Sequence, residues 1–319
     1  MKIHTFLLFL CGACGFFLGS GCGEEPRADR GNSGRLVIAA GLPPVAWIAE
    51  TVGGDRVEVI QLLPDGRSPH DYAPGAREIG KVAAAKLFLS TGTNFERLAA
   101  KAFPGEGRIL DLARQAEKIP FADGCGEHHH HDGEDQHKHD EHHHHRHDGD
   151  GDGHDPHIWL SLRNDIIMAE AIRDALVKLD PANAESYRAN CAALVGRFAT
   201  LEGELKTALA PYAGRVFFVY HPAFGYFAKM ANLKQVGIEL DGREASAARL
   251  AEVVRHAQAE RAGAIFVQPQ FNPASAAALA RLTGAKVAEL DPLARDIPAN
   301  LRRLADTLIA GFSAKGAAK

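Results

Sequence analysis

Seventeen of the 319 residues are histidine, and neutral imidazole is the side chain that most often ligates zinc and related transition metals. These histidines form two populations. Twelve fall between residues 127 and 155: His128, His129, His130, His131, His137, His139, His142, His143, His144, His145, His147 and His154. The others are His4, at the start of the chain, and His70, His157, His221 and His256. His256 lies in a helical pattern, EVVRHAQAER, where a solvated or capping role is expected. The remaining three share a setting. His70 follows the apolar run VEVIQLL in SPHDY, His221 follows RVFFVY directly, and His157 sits in DPHIW just after the histidine-rich stretch. Each has a proline beside it (Pro69, Pro222 and Pro156), which narrows the local backbone freedom. Asp291, directly after KVAEL, occupies the same kind of position and adds a carboxylate. Three imidazoles and a carboxylate suit four-coordinate zinc. Manganese favours a more oxygen-rich shell and copper(I) a thiolate or thioether one. With three methionines in the chain, one of them initiating, a methionine-rich copper site has no support.

The histidine-rich run has a second chemical character. Residues 127–155 also hold ten acids against Lys138 and Arg146, so the stretch carries −8 and the rest of the chain +4. It has no hydrophobic residue until Ile158, so it cannot bury enough apolar surface to offset the entropy of ordering. A mobile loop over 124–155 is the expectation. It offers either several weak, exchangeable zinc sites beside a tighter one or only incidental metal binding.

The elements that must position the isolated histidines follow from the apolar patterning. RLVIAA (35–40), VEVIQLL (57–63), KLFLS (86–90) and RILDL (108–112) read as strands, and RVFFVY (215–220), QVGIEL (235–240), AIFVQ (264–268) and KVAEL (286–290) repeat the pattern. Near-continuous apolar runs separated by helical segments predict parallel strands covered on both faces. Ser246, Asn272-Pro273 and Pro298 mark helix starts. Leu301, Leu304, Ala305, Leu308 and Phe312 form a final amphipathic stripe. Between the halves, Tyr187, Cys191, Leu194, Phe198, Leu201 and Leu205 recur at intervals of three and four, which predicts one long helix over 182–209. The fold class is therefore α/β: two Rossmann-like lobes with parallel sheets, 35–181 and 210–315, bridged by a rigid helix. In such sheets ligands bind beyond the carboxyl ends of the strands, so the metal site is expected in the cleft between lobes.

Residues 1–22 read as a secretory signal, with Lys2 before the apolar segment Thr5–Leu18 and small residues before Cys22. The small-small-Cys ending resembles a bacterial lipobox, although Gly19 stands where Leu is usual, and it points to lipid on Cys22. Residues 23–34 form a polar tether. Cys11 and Cys14 would leave with the signal, so Cys125 and Cys191 remain, and whether they pair is open. No apolar run reaches the ~18–20 residues that span a bilayer, which excludes a polytopic membrane protein. The charge balance gives no broad basic footprint for nucleic acid.

The motifs LLPDGRSPHDYAP, DPHIWLSLRN, VYHPAFGYFA and ELDPLA occur in that order, with the histidine-rich insertion immediately before DPHIWL. In this the chain resembles the zinc-binding solute-binding lipoproteins of bacterial ABC importers, over residues 35–312. The resemblance implies an extracytoplasmic receptor without catalytic activity, in the periplasm or at the cell surface. It would be a monomer that holds Zn2+ at His70, His157, His221 and Asp291 and delivers it to a membrane permease with its ATPase. Manganese-binding relatives typically place Glu where this chain has His221, and Gln268 stands where relatives often carry Glu. Alternatives are a manganese or iron receptor of the same family, a secreted metal-buffering protein or adhesin, and, remotely, a zinc hydrolase. The last lacks the HExxH motif and the open coordination position of catalytic zinc. From the ordinary histidine pKa of ~6.5, metal affinity should weaken below about pH 6.

Overall fold

The computed structural model describes residues 34–103, 107–121, 153–239 and 245–314. The signal segment with Cys22, the tether up to residue 33, Cys125, and the loop histidines from His128 to His147 lie outside these residues.

The chain order is β1 (Leu36–Ala40), α1 (Pro43–Gly53), β2 (Val57–Gln61), α2 (Ala76–Ala83), β3 (Phe88–Ser90), α3 (Asn94–Ala100), β4 (Ile109–Asp111), α4 (Leu162–Leu179) and α5 (Ala184–Leu209). There follow β5 (Val216–Val219), α6 (Gly225–Met230), β6 (Lys234–Gly237), α7 (Ala247–Ala259), β7 (Ala264–Val267), α8 (Pro273–Thr283), β8 (Lys286–Glu289) and α9 (Ile297–Ser313). All eight expected strands form. They make two parallel sheets of identical topology, β2-β1-β3-β4 and β6-β5-β7-β8. Leu36 to Ala40 run in register with Val57 to Gln61, and Val216 to Val219 with Lys234 to Gly237. The interior strands β3 and β7 are buried along their whole length, whereas β4 and β8, at the sheet edges, are partly exposed. That gradient is why RILDL and KVAEL mix polar and apolar residues while AIFV does not.

The start signals act as capping chemistry. Ser246 accepts a hydrogen bond from the Arg249 amide, and Asn272 one from the Ala274 amide; Asp296 accepts one from the Ala299 amide. Each satisfies an amide that the helix itself cannot. In α5 the predicted stripe is the buried face, from Tyr187 through Leu209. It packs on α1, α4 and α9 and so touches both halves. Cys191 belongs to this face and is buried. From Arg35 on the chain is one compact unit, and a single apolar core runs from β1 and α1 through α5 to α9, with a second core on the far side of the second sheet. Among the described residues no helix is long and apolar enough to cross a membrane.

Candidate metal centre

Each histidine of the isolated set arrives by a different route. Beyond β2, Leu62 and Leu63 continue bonding to Ala40 and Gly41, and a turn at Pro64–Arg67 then brings the chain to Ser68, whose Oγ accepts the His70 amide. His157 is set by a pinch in the chain. Pro120 and His154 form an antiparallel bridge, with the Phe121 amide bonded to the Gly153 carbonyl and the Asp155 amide to that of Ile119. A short turn then buries Ile158, Trp159 and Leu160. Trp159 donates its indole N–H across the molecule to the Pro292 carbonyl, 2.8 Å away. His221 lies two residues past β5, where the neighbouring Tyr220 amide is held by the Phe266 carbonyl.

The three routes end together. The Nε2 atoms of His70 and His221 are 3.0 Å apart, as are those of His221 and His157, and all three ligand atoms lie within 4.8 Å of one another. Tetrahedral zinc with Zn–N bonds of ~2.05 Å needs nitrogens ~3.3 Å apart, so a small adjustment seats an ion among them. His157 and His221 are buried at 2% and 5% exposure, whereas His70 is exposed as a residue with its ring tip against the other two. Ser68, Pro69, Trp159, Phe271 and Leu293 complete the lining.

The faces turned away from this point are also fixed. His157 Nδ1 lies 2.7 Å from Asp155 Oδ1, which also accepts the His157 amide. His221 Nδ1 lies 2.5 Å from Glu239 Oε1. Carboxylate acceptors at Nδ1 hold the proton there and leave the Nε2 lone pair for a metal. Gln268 clamps the His221 peptide from both sides, its Oε1 accepting the amide at 3.1 Å and its Nε2 donating to the carbonyl at 2.5 Å. Phe271 stacks on the ring. Gly225 opposes Asp155 so closely that a side chain there would collide with Oδ2.

Asp291, the expected fourth ligand, is not brought into this group. Its Oδ1 accepts from Gln270 Nε2 at 2.8 Å and from the Leu293 amide at 2.9 Å. It faces the adjoining space lined by Pro64, Asp65 and Arg67. His256 is remote from the cluster, in α7, edge-on to Phe218. Of the loop expected over 124–155, residues 153–155 are among those described: His154 pairs with Pro120 and Asp155 lies behind His157.

Electrostatics favour uncharged ligands. Desolvation of its ring tip against the other imidazoles, followed by the nearby His221 and His157, lowers the His70 pKa to about 2. Burial likewise lowers that of His221, against the opposing pull of Glu239. Sequence reasoning missed Asp155, Glu239 and the clamping role of Gln268. The strand-end rule that found the histidines also covers Glu239 and Gln268, at the ends of QVGIEL and AIFVQ.

Residues 38–311 match the family model described as zinc-uptake complex component A, periplasmic. The chain is 29% identical over 288 residues to the zinc-binding lipoprotein AdcA of Streptococcus pneumoniae, covering 90% of this chain and 54% of AdcA. It therefore spans about half the length of that relative. It is also 29% identical over 272 residues to the high-affinity zinc uptake system protein ZnuA of Yersinia pestis, covering 83% of this chain and 86% of that protein. Among solved structures it is similar to a zinc-bound deletion mutant of ZnuA, with 30% identity, a TM-score of 0.74 and coverage of 89% of this chain and 100% of the other.

Proposed function

Because the chain belongs to the family of periplasmic A components of zinc-uptake complexes, we propose that it is an extracytoplasmic receptor that captures Zn2+ and passes it to the permease of an ABC importer. The observation that carries this reading is the convergence of three imidazole Nε2 atoms from both halves, two of them buried. His70, His157 and His221 hold the ion. Asp291 joins them only by giving up its bond from Gln270. Three nitrogen ligands and no carboxylate in the cluster favour zinc over manganese. The histidine-rich run supplies weaker sites that collect metal nearby, and lipid on Cys22 tethers a monomeric receptor to the membrane.

Competition titrations test this. A protein lacking residues 123–151 should retain one tight site that takes Zn2+ in preference to Mn2+. His221→Ala should weaken that site beyond the ~10–100-fold typical of losing an outer partner, while the intact run still binds loosely. A preference for Mn2+, or tight binding that disappears with the run alone, overturns the reading.

A further inference from the structure

Three neutral imidazoles contribute no charge to a bound dication, and a buried ion without compensating charge is costly. Asp155 and Glu239 are 3% and 2% exposed. Among the described residues their ion pairs go only to His157 and His221. Two buried carboxylates thus sit directly behind two ligands, each ion-paired to its own imidazole. They also come from opposite halves of the molecule, Asp155 from the segment entering the first of these ligands and Glu239 from the end of β6. The third ring, His70, has no carboxylate bonded to it among the described residues and lies toward solvent.

From this we infer that Asp155 and Glu239 are the counter-charge of the site and make it selective for dications over monocations. The inference rests on the zinc-binding reading above. A dication on the three Nε2 atoms brings the sum of ion and carboxylates to zero, whereas a monocation of the same nitrogen preference leaves one buried negative charge. The two residues are positioning residues as well, since each accepts the Nδ1–H of its imidazole and so keeps Nε2 free. Glutamine and asparagine at these places keep an oxygen acceptor for that bond and remove only the charge, which separates the two roles.

The test uses the full chain carrying Trp47→Phe, so that Trp159 is the sole indole; its ring lies 5.4 Å from that of His157 and reports the cluster and not the histidine-rich run. Zn2+ and, under anaerobic conditions, Cu+ are titrated against competing chelators into the parent, Asp155→Asn and Glu239→Gln. Each substitution should lower Zn2+ affinity ~10–100-fold and lower Cu+ affinity far less. Unchanged Zn2+ affinity, or a parallel fall for both ions, overturns the inference. A parent protein that shows no one-to-one Zn2+ response at Trp159 instead overturns the zinc-binding reading itself. Should one variant fail to fold, the other carries the test alone, because the carboxylates lie on different halves.

Discussion

His221 is held at four points: its amide and carbonyl by Gln268, its Nδ1 by Glu239, and its ring face by Phe271. The amide of Gln268 is specified by the need to donate as well as accept. Gln268→Glu places a carboxylate oxygen against the His221 carbonyl in a fully buried setting. It should cost about 1–3 kcal/mol of folding stability, the range for leaving a buried group unsatisfied, and urea unfolding of the zinc-free protein measures it. The depressed pKa values give a pH signature of their own. His70 and His221 stay neutral in the fold at pH values where the unfolded chain already binds protons. Their contribution to stability is therefore complete above ~6.5 and is lost as pH falls toward about 2 for His70. Thermal melts of zinc-free protein from pH 7 to pH 4 should show this fall, and His70→Asn should flatten it. The same values keep His70 and His221 neutral further into acid than the ordinary histidine pKa implies, so metal affinity, if these rings are the ligands as proposed, should persist below the pH 6 expected from sequence. At this scale the sequence displays ligand types clearly, because histidines at strand ends are rare. Hydrogen-bond partners are less visible, since an Asp two residues upstream or a Glu 18 residues away acquires meaning only when the backbone brings it round.

The elements were the most legible part. Eight apolar runs became eight strands because central parallel strands are buried on both faces and tolerate little else. The stripe of α5 was readable because a helix shared by two halves needs one continuous apolar face. Where β4 and β8 lie at sheet edges, the runs were correspondingly mixed. The exposed side of α5 carries two glycines, Gly196 and Gly203, with no atom within 4 Å of the place a Cβ would occupy. Replacing both by alanine should stabilise the protein by roughly 0.5–1 kcal/mol each, the usual helix-interior difference. Differential scanning calorimetry checks the gain, and Zn2+ affinity should not change because neither position faces the cluster.

At the scale of the whole molecule, the described residues on either side of the histidine-rich run meet at one point. Phe121 and Gly153 are hydrogen-bonded to each other, so the two described ends of the run meet at a closed bridge. Deleting residues 123–151 and joining the ends by a short turn should leave the melting temperature and the tight site intact, since closing a shorter loop costs little. Calorimetric titration should show the weak sites gone. Sequence composition announced this run but not its anchorage, because Pro120 and His154 are joined by backbone bonds that no side chain signals.

The three imidazoles approach one another from both halves, two from before α5 and one from after it. Mechanically, on the function proposed above, an ion held by all three would be a rivet through two plates, and the work of drawing it out would be the work of shearing them. On that same proposal, a partner gripping both sheets would have leverage on His221 without reaching the ion, and a loaded molecule would be stiffer than an empty one at surfaces far from the metal.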